Sequence, residues 1–208
     1  MYGDQSLTFQ EFVMSEELPL ATIHTAVLEF LQGRDDAVVF GAQAVNAYVD
    51  APRMTQDVDI MTTRGSQLST EICEYLHQRF QIAVRIRTVA NGSGHRIYQL
   101  RTEGNRNLVD VRQVANLPGC QRINDVLVVV PAELLALKVV SISARPHTPK
   151  GLTDEADSLR LLIAFPDLKQ PEGPVSVALQ RLNASREAHE VWQRLVRQVI
   201  VPEVDDEY

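Results

Sequence analysis

The chain has 208 residues, of which 45% are hydrophobic, and a formal net charge of −7, which fits one domain or a core domain with a small helical annex. The acidic balance argues against a protein that holds nucleic acid by bulk positive charge, although it leaves room for a local basic groove. Cys73 and Cys120 lack metal-ligand spacing, the N-terminus is not signal-like and no apolar run reaches about 18 residues, so we expect a cytoplasmic protein without a membrane span.

The first part of the chain alternates predicted helices and strands. Residues 1–19 are expected to form a short leader. Apolar residues at helical spacing, all-apolar runs and Pro or Gly breakers then define the elements. They are, in chain order, a helix over 20–32, a strand over 37–41, a helix over 42–49, a strand over 57–62 and a helix over 66–80.

In the second part of the chain, apolar and polar residues first alternate with a period of two residues, and apolar residues then recur at helical spacing. Three alternating runs over 82–89, 96–102 and 108–114 are separated by turn-like composition, which predicts an antiparallel meander. The remaining predicted elements are a short strand over 126–130, helices over 132–144, 154–165 and 184–200, a Pro/Gly-rich connection over 166–174 and a frayed tail. This pattern predicts an α/β (α+β) fold.

Carboxylates interrupt two of the predicted strands. Asp57 and Asp59 are two residues apart, so they face the same way, about 6.5–7 Å apart along the strand. If the strand carrying Asp110 pairs beside them, it completes a cluster of three carboxylates. Clustered anions repel unless a cation neutralises them, and oxygen ligands suit Mg²⁺ or Mn²⁺. The alternative is a solvated acidic edge.

A turn of small residues joins the strand over 37–41 to the next helix. Gly41 and Ala42 open that helix, where unpaired N–H groups and the positive end of the helix dipole suit a phosphate. The sequence therefore indicates a candidate phosphate contact near the candidate metal site.

In this order, these features resemble the polymerase-β-like nucleotidyltransferase superfamily. The matching segments are Phe40-Gly41-Ala42, Asp57-Val58-Asp59 and Val109-Asp110-Val111. Residues 37–165 also look like the AbiEii/AbiGii-toxin-like branch. The residues that match its Arg-x-Thr-x-Asp-x-Asp motif and its later Lys, Arg and Asp positions are Arg53, Thr55, Asp57, Asp59, Lys138, Arg145, Lys150, Asp154 and Asp157. Two features depart from the branch: Ala42 stands where Gly or Ser is usual, and three residues separate Lys150 from Asp154.

The resemblance implies a nucleotidyltransferase fold with a small mixed sheet flanked by helices. A catalytic core with an N-terminal helix would cover 1–130, and a helical region over 131–208 would pack on it. The implied activity is Mg²⁺-dependent (or Mn²⁺-dependent) transfer of a nucleoside monophosphate from an NTP to an acceptor hydroxyl. The implied catalytic and metal-binding residues are Asp57, Asp59 and Asp110, and the implied nucleotide-binding residues are Gly41, Ala42, Arg53, Thr55 and Lys138.

The branch also implies a toxin that acts on RNA or tRNA and is held by a cognate antitoxin. Two alternatives stay open at this point. One is a small-molecule (antibiotic or sugar) adenylyltransferase. The other is a catalytically silent nucleotide-binding or partner-binding module.

Other charged residues have two interpretations each. Seven arginines within 34 residues mark either solvated strand edges or a basic surface for a triphosphate or an RNA end; they are Arg79, Arg85, Arg87, Arg96, Arg101, Arg106 and Arg112. Lys138 lies on an apolar helix, where it either extends to solvent or contacts phosphate. Asp154 and Asp157 follow Thr153, and we expect at least one of them to cap a helix.

Overall fold

The structure, a computed structural model, describes residues 18–102 and 104–201, in which seven α-helices flank a seven-stranded sheet. The strands are β1 (Ala37–Phe40), β2 (Val58–Thr62), β3 (Val84–Val89), β4 (Gly94–Gln99), β5 (Arg106–Gln113), β6 (Cys120–Ile123) and β7 (Val126–Val129). The helices are α1 (Leu20–Leu31), α2 (Gly41–Asn46), α3 (Gly65–Phe80), α4 (Pro131–Ala144), α5 (Pro149–Ala164), α6 (Pro174–Arg181) and α7 (Arg186–Arg197), with 3₁₀ turns at Ala90–Gly92 and Pro166–Leu168. Most of the expected leader, and the expected frayed tail, lie outside the described residues.

The sheet is mixed, with strand order β3-β4-β5-β2-β1-β7-β6. The predicted meander is confirmed, because β4 pairs antiparallel with both β3 and β5. β5 then pairs in parallel with β2, which places Asp110 directly opposite Asp59. The strand pairing on which the carboxylate cluster depended is therefore confirmed.

Alternation along the strands separates the core from the carboxylates. Ile97 on β4 and Val109 on β5 are fully buried in the core, on the face that also receives the apolar side of α3. Each such side chain stabilises the fold by about 1.5–3 kcal/mol. The intervening positions Asp59 and Asp110 therefore point to the other face of the sheet. β1 is buried along its whole length, with α2 against it.

Two elements were not predicted from the sequence. β6 forms a hairpin with β7 across Asn124 and Asp125, which both have positive φ, as a tight two-residue hairpin turn requires. The helix α6 begins at the end of the predicted connection over 166–174 and continues through residues to which the sequence pattern assigned no element. Within the described residues, none of the helices is both long and apolar enough to cross a membrane.

The expected cap of α5 is wrong. The helix begins at Pro149 rather than at 154, and its cap is Thr148, whose hydroxyl accepts a hydrogen bond from the Gly151 N–H at 3.1 Å. A proline in the first turn and a threonine before it are a favourable start. Asp154 and Asp157 consequently lie inside the helix, and neither caps it.

Candidate active site

A cleft of about 880 Å³ lies between the sheet and the facing sides of α4 and α5. Its walls are the turn after β1, the segment before β2 and the two helices. Seven of the eight predicted site residues line it: Gly41, Ala42, Arg53, Thr55, Asp57, Asp59 and Lys138. The eighth, Asp110, lies beside Asp59 on the neighbouring strand. The structure therefore brings the predicted site residues together.

Asp110 is held by two neighbours. Its Oδ1 lies 3.1 Å from Arg96 Nε and accepts a hydrogen bond from Asn107 Nδ2 at 3.2 Å. The same Asn107 amide donates to Asp57 Oδ2 at 2.7 Å, so it bridges two of the three carboxylates. Asn107 was not predicted as a site residue. It reaches this face through a register irregularity between β4 and β5, which shifts the alternation by one residue.

The carboxylates of Asp57, just before β2, and Asp59, on β2, are electrostatically unfavourable. Burial, and then the charges of Asp57 and Asp110, raise the pKa of Asp59 to about 7. Burial, and then the charge of Asp110, also raise the pKa of Asp57, against the opposing effects of Lys150 and Asn107. In the part of the chain that the structure describes, neither Asp57 nor Asp59 forms an ion pair. A bound cation would therefore stabilise this arrangement.

The position of the Asp59 carboxylate requires a glycine at residue 41. The φ of Gly41, +67°, is in the left-handed region, and a Cβ placed on this residue would lie 1.9 Å from Asp59 Oδ2. Any larger residue would displace the carboxylate. The glycine thus has a structural reason that is separate from its contact with phosphate, which stays a prediction.

The opposite wall contains a compensated group of charges. Lys138 Nζ lies 2.8 Å from Asp154 Oδ1 and 2.7 Å from Asp157 Oδ2, and all three side chains are buried. Arg53 makes a bidentate pair with Asp157, with Nε–Oδ1 at 2.7 Å and Nη2–Oδ2 at 2.8 Å. Burial alone would raise the pKa of Asp157, but Arg53 and Lys138 lower it overall. Both cations predicted to bind nucleotide are thus fixed in the cleft wall by α5.

Smaller contacts complete the cleft. Thr55 Oγ1 accepts a hydrogen bond from Gln43 Nε2 at 2.8 Å, which links the segment before β2 to α2. Arg112 lines the cleft with its guanidinium 5.0 Å from the centre of the Phe40 ring, a cation–π distance. The sequence pattern assigned Arg112 only to a strand edge or a general basic surface, and the structure places it in the lining of the cleft.

The carboxylates of Asp57 and Asp59 fit the Mg²⁺ that the sequence suggested. Among the described residues, no three His, Cys, Asp or Glu side chains form a group that could hold a metal by themselves. Asp110 instead contacts Arg96 and Asn107. Mg²⁺, however, commonly binds through one or two carboxylates together with substrate phosphates and water. The uncompensated oxygens of Asp57 and Asp59 fit an ion that binds in this way.

Comparison with known proteins gives structural neighbours only. No family model matches the chain, and no curated protein matches its sequence. The Megavirus polyadenylate synthase matches 71% of this chain with a TM-score of 0.56 and 13% identity. JHP933 from Helicobacter pylori matches 92% with a TM-score of 0.51 and 15% identity. An antigenic nucleotidyltransferase-like protein from Paracoccidioides brasiliensis matches 84% with a TM-score of 0.48 and 18% identity.

The two likenesses with TM-scores above 0.5 concern the fold alone. The chain spans 32% of the Megavirus protein and 90% of JHP933. Together with the mixed sheet and its flanking helices, the two matches with the higher TM-scores confirm the predicted nucleotidyltransferase fold. They do not distinguish the AbiEii/AbiGii-toxin-like branch, which stays a prediction.

Proposed function

We propose that the protein is a Mg²⁺-dependent nucleotidyltransferase that moves a nucleoside monophosphate from an NTP to an acceptor hydroxyl. The observation that carries the proposal is the uncompensated pair Asp57 and Asp59, which opens on the cleft beside Asp110 in a nucleotidyltransferase fold. Carboxylates with perturbed pKa values in a cleft are candidates for a functional site. A fully solvated acidic edge would not be half-buried in a cleft in this way.

The donor nucleotide would occupy the cleft. Asp57 and Asp59 would hold Mg²⁺ (or Mn²⁺), which would neutralise charge on the triphosphate when bound. The backbone at Gly41 and Ala42 would approach the phosphates closely, since both side chains are small. Arg53, Thr55 and Lys138 would line the same phosphates, as their positions in the cleft wall allow.

The acceptor would be activated at Asp110. The acceptor oxygen forms a bond to the α-phosphorus, the bond from that phosphorus to the bridging oxygen breaks, and the electron pair leaves with pyrophosphate. The hydroxyl proton passes to an Asp110 carboxylate oxygen. Arg96 and Asn107 orient this carboxylate through the contacts at 3.1 and 3.2 Å.

We further propose an RNA or tRNA acceptor and a role as the toxin of a toxin–antitoxin pair in the cytoplasm. This finer proposal depends on the resemblance of Arg53, Thr55, Lys138 and the α5 aspartates to the AbiEii/AbiGii pattern. A catalytically silent nucleotide-binding module is the second candidate, because Ala42 stands where the family usually has Gly or Ser and lacks the hydroxyl with which a serine could contact phosphate.

The test is the substitution Asp110→Asn, which keeps the size of the side chain and removes its charge. Transfer of labelled NTP to total RNA should fall by about 100-fold or more, roughly 3 kcal/mol of transition-state stabilisation, while Mg-NTP affinity changes little. The matched control is Asp125→Asn in the β6–β7 turn, which should transfer like the wild type. Undiminished transfer by Asp110→Asn would remove this residue from the site, and absence of transfer to any acceptor by the wild type would favour the silent module.

A further inference from the structure

Arginines on β3 and β4 lie in line with the carboxylates. The cross-strand partners are Arg87 with Arg96, Arg96 with Asp110, and Asp110 with Asp59. Directly paired residues project from the same face, and neighbouring strands lie about 4.8 Å apart, so this row extends about 14 Å from Asp59 to Arg87. The sheet thus carries a row of charges from the candidate site to its edge.

A second row runs beside the first. Arg85 on β3 pairs with Tyr98 on β4, which pairs with Asn107 on β5, and Asn107 in turn donates to Asp57. Tyr98 is half-buried among the arginines and places an aromatic ring on this face. We call Arg85, Arg87, Arg96 and Tyr98 the arginine face.

The arginine face is open to solvent. Arg85, Arg87 and Arg96 are exposed, whereas Ile97 on the opposite face of β4 is fully buried. Arg96 pairs with Asp110, but the described residues place no carboxylate within ion-pair distance of Arg85 or Arg87. Protection of an edge strand explains charges on β3. It does not explain Arg96 and Tyr98, which lie on an interior strand.

The arginine face and the cations of the cleft lie on different sides of the carboxylates. Arg53, Lys138, Arg145 and Lys150 line the cleft near α4 and α5, where the triphosphate would bind. The arginine face begins beyond Asp110, across β5. In-line displacement requires the attacking hydroxyl opposite the leaving pyrophosphate. An acceptor that approaches Asp110 from this side would therefore lie over β4 and β3.

We propose that the arginine face binds the phosphates of a single-stranded polynucleotide and directs its terminal hydroxyl to Asp110. The proposal rests on the proposed function and specifies its acceptor class. Arginines contact backbone phosphates without regard to sequence, and an aromatic ring on the same surface stacks a base. Arg85 and Arg87 bind the part of the strand farther from its end, because they lie farthest from Asp110. A small-molecule acceptor would not need residues so far from the carboxylates.

The test is the double substitution Arg85→Ala/Arg87→Ala, which leaves the carboxylates and the cleft intact. The probes are labelled single-stranded RNA and single-stranded DNA of the same sequence, with binding measured across a range of salt concentrations. The magnitude of the slope of log K against log salt should fall by about 0.7 for each lost phosphate contact, and affinity at 0.1 M salt should fall by about tenfold or more. The matched control is Arg186→Ala/Arg197→Ala on α7, which removes the same charge from exposed positions elsewhere and should bind like the wild type.

The outcomes separate this inference from the function on which it rests. Loss of binding with either probe supports the arginine face, and the probe that binds more tightly identifies the polynucleotide. Affinity and salt slope equal to those of the control overturn it. Stabilisation by Mg-NTP is measured in parallel and should be unchanged in both double variants. If the wild type binds Mg-NTP and transfers nucleotide but binds neither probe, the function stands and the arginine face does not. If the wild type does not respond to Mg-NTP, the proposed function itself fails.

Discussion

Two pairs of aspartates on opposite walls of one cleft have opposite electrostatics. Asp157, on α5, is fully buried but bonded to both Arg53 and Lys138, and its pKa is lowered. Asp59, on β2, has no cation within ion-pair distance among the described residues, and its pKa is raised to about 7, by burial first and then by Asp57 and Asp110. Each wall carries two aspartates that face the same way, since Asp57 and Asp59 are two residues apart in extended chain and Asp154 and Asp157 are three residues apart on the helix α5.

The two walls differ in whether cationic side chains offset the charge of the aspartates. A buried charge is costly unless partners offset it, and on α5 the protein supplies those partners itself. At Asp57 and Asp59 it does not, so either a proton or a bound cation has to offset the charge. Acidic residues at a cleft therefore do not identify a ligand site until their partners are known. In this protein the uncompensated pair Asp57 and Asp59 supports the proposed metal site, and Asp154 and Asp157 hold Arg53 and Lys138 in place.

The largest effect is expected from removing a charge in the cleft wall where Asp157 pairs with Arg53 and Lys138. Asp157→Asn removes the charge that pairs with Arg53 and Lys138, and should lower the free energy of unfolding by about 3–5 kcal/mol, as expected when one partner of a buried ion pair is lost. Denaturant unfolding at neutral pH measures it. Asp125→Asn, in an exposed turn, is the control and should change stability by less than about 0.5 kcal/mol. A loss no larger than that of the control would mean that the paired charges do not stabilise the fold.

The next effect is the dependence of stability on pH that the raised pKa of Asp59 causes. The pKa of Asp59 is higher in the folded protein, at about 7, than its ordinary value of 3.8, so the folded state binds more protons between these values. Stability of the metal-free protein is therefore greatest at low pH in this window and falls as pH rises through 7, by on the order of 2–4 kcal/mol. Asp157, whose pKa is lowered, acts in the opposite sense and only below its ordinary value.

Urea unfolding in the presence of a chelator measures this fall in stability. The pH values lie between 4 and 8, a range set by the two pKa values above. Asp59→Asn should remove most of the fall, because an amide does not titrate. A variant with the same pH dependence as the wild type would show that another group is responsible.

A smaller effect concerns the glycine turn. Gly41→Ala should cost about 1–2 kcal/mol because of the positive φ, plus the cost of moving Asp59 away from the new Cβ. In the background of Asp59→Ala the second cost disappears, so the two substitutions should couple favourably by about 1 kcal/mol. A double-mutant cycle on the free energy of unfolding measures the coupling. Strict additivity would mean that the side chain of Asp59 is not what requires a glycine here.

The strands that carry the candidate carboxylates could be predicted from the alternation of residues along the chain. The alternation around Asp59 and Asp110 was enough to predict two strands with carboxylates on one face, and the fold brings those strands side by side. The hairpin strand β6 was missed because Cys120–Ile123 is short and has no clear alternation of burial. Asn107 could not be found by counting, since in a regular strand it would face away from Asp110. Only the irregularity between β4 and β5 brings it to the same face.

The compensated wall was not predictable for a different reason. Lys138 and Asp157 are 19 residues apart, and Arg53 and Asp157 are 104 apart. Helical spacing places Asp154 and Asp157 on one face of α5, but it does not say which cations face them. Asp154 and Asp157 were therefore interpreted as caps, which is wrong, and Arg53 and Lys138 as phosphate contacts, which stays a prediction. The structure adds the pairing, and with it the distinction between the two walls.

The most direct measurement is the change in unfolding free energy on addition of Mg²⁺ with an NTP, in the wild type, Asp59→Asn and Asp157→Asn. If the uncompensated pair is the metal–nucleotide site, ligand at about 100 times its dissociation constant should stabilise the wild type by about 2.7 kcal/mol. Asp59→Asn should gain little, and Asp157→Asn should still gain from a lower starting stability. A wild type that gains nothing, or an Asp59→Asn variant that gains as much as the wild type, would contradict the assignment of the site to the carboxylates of Asp57 and Asp59.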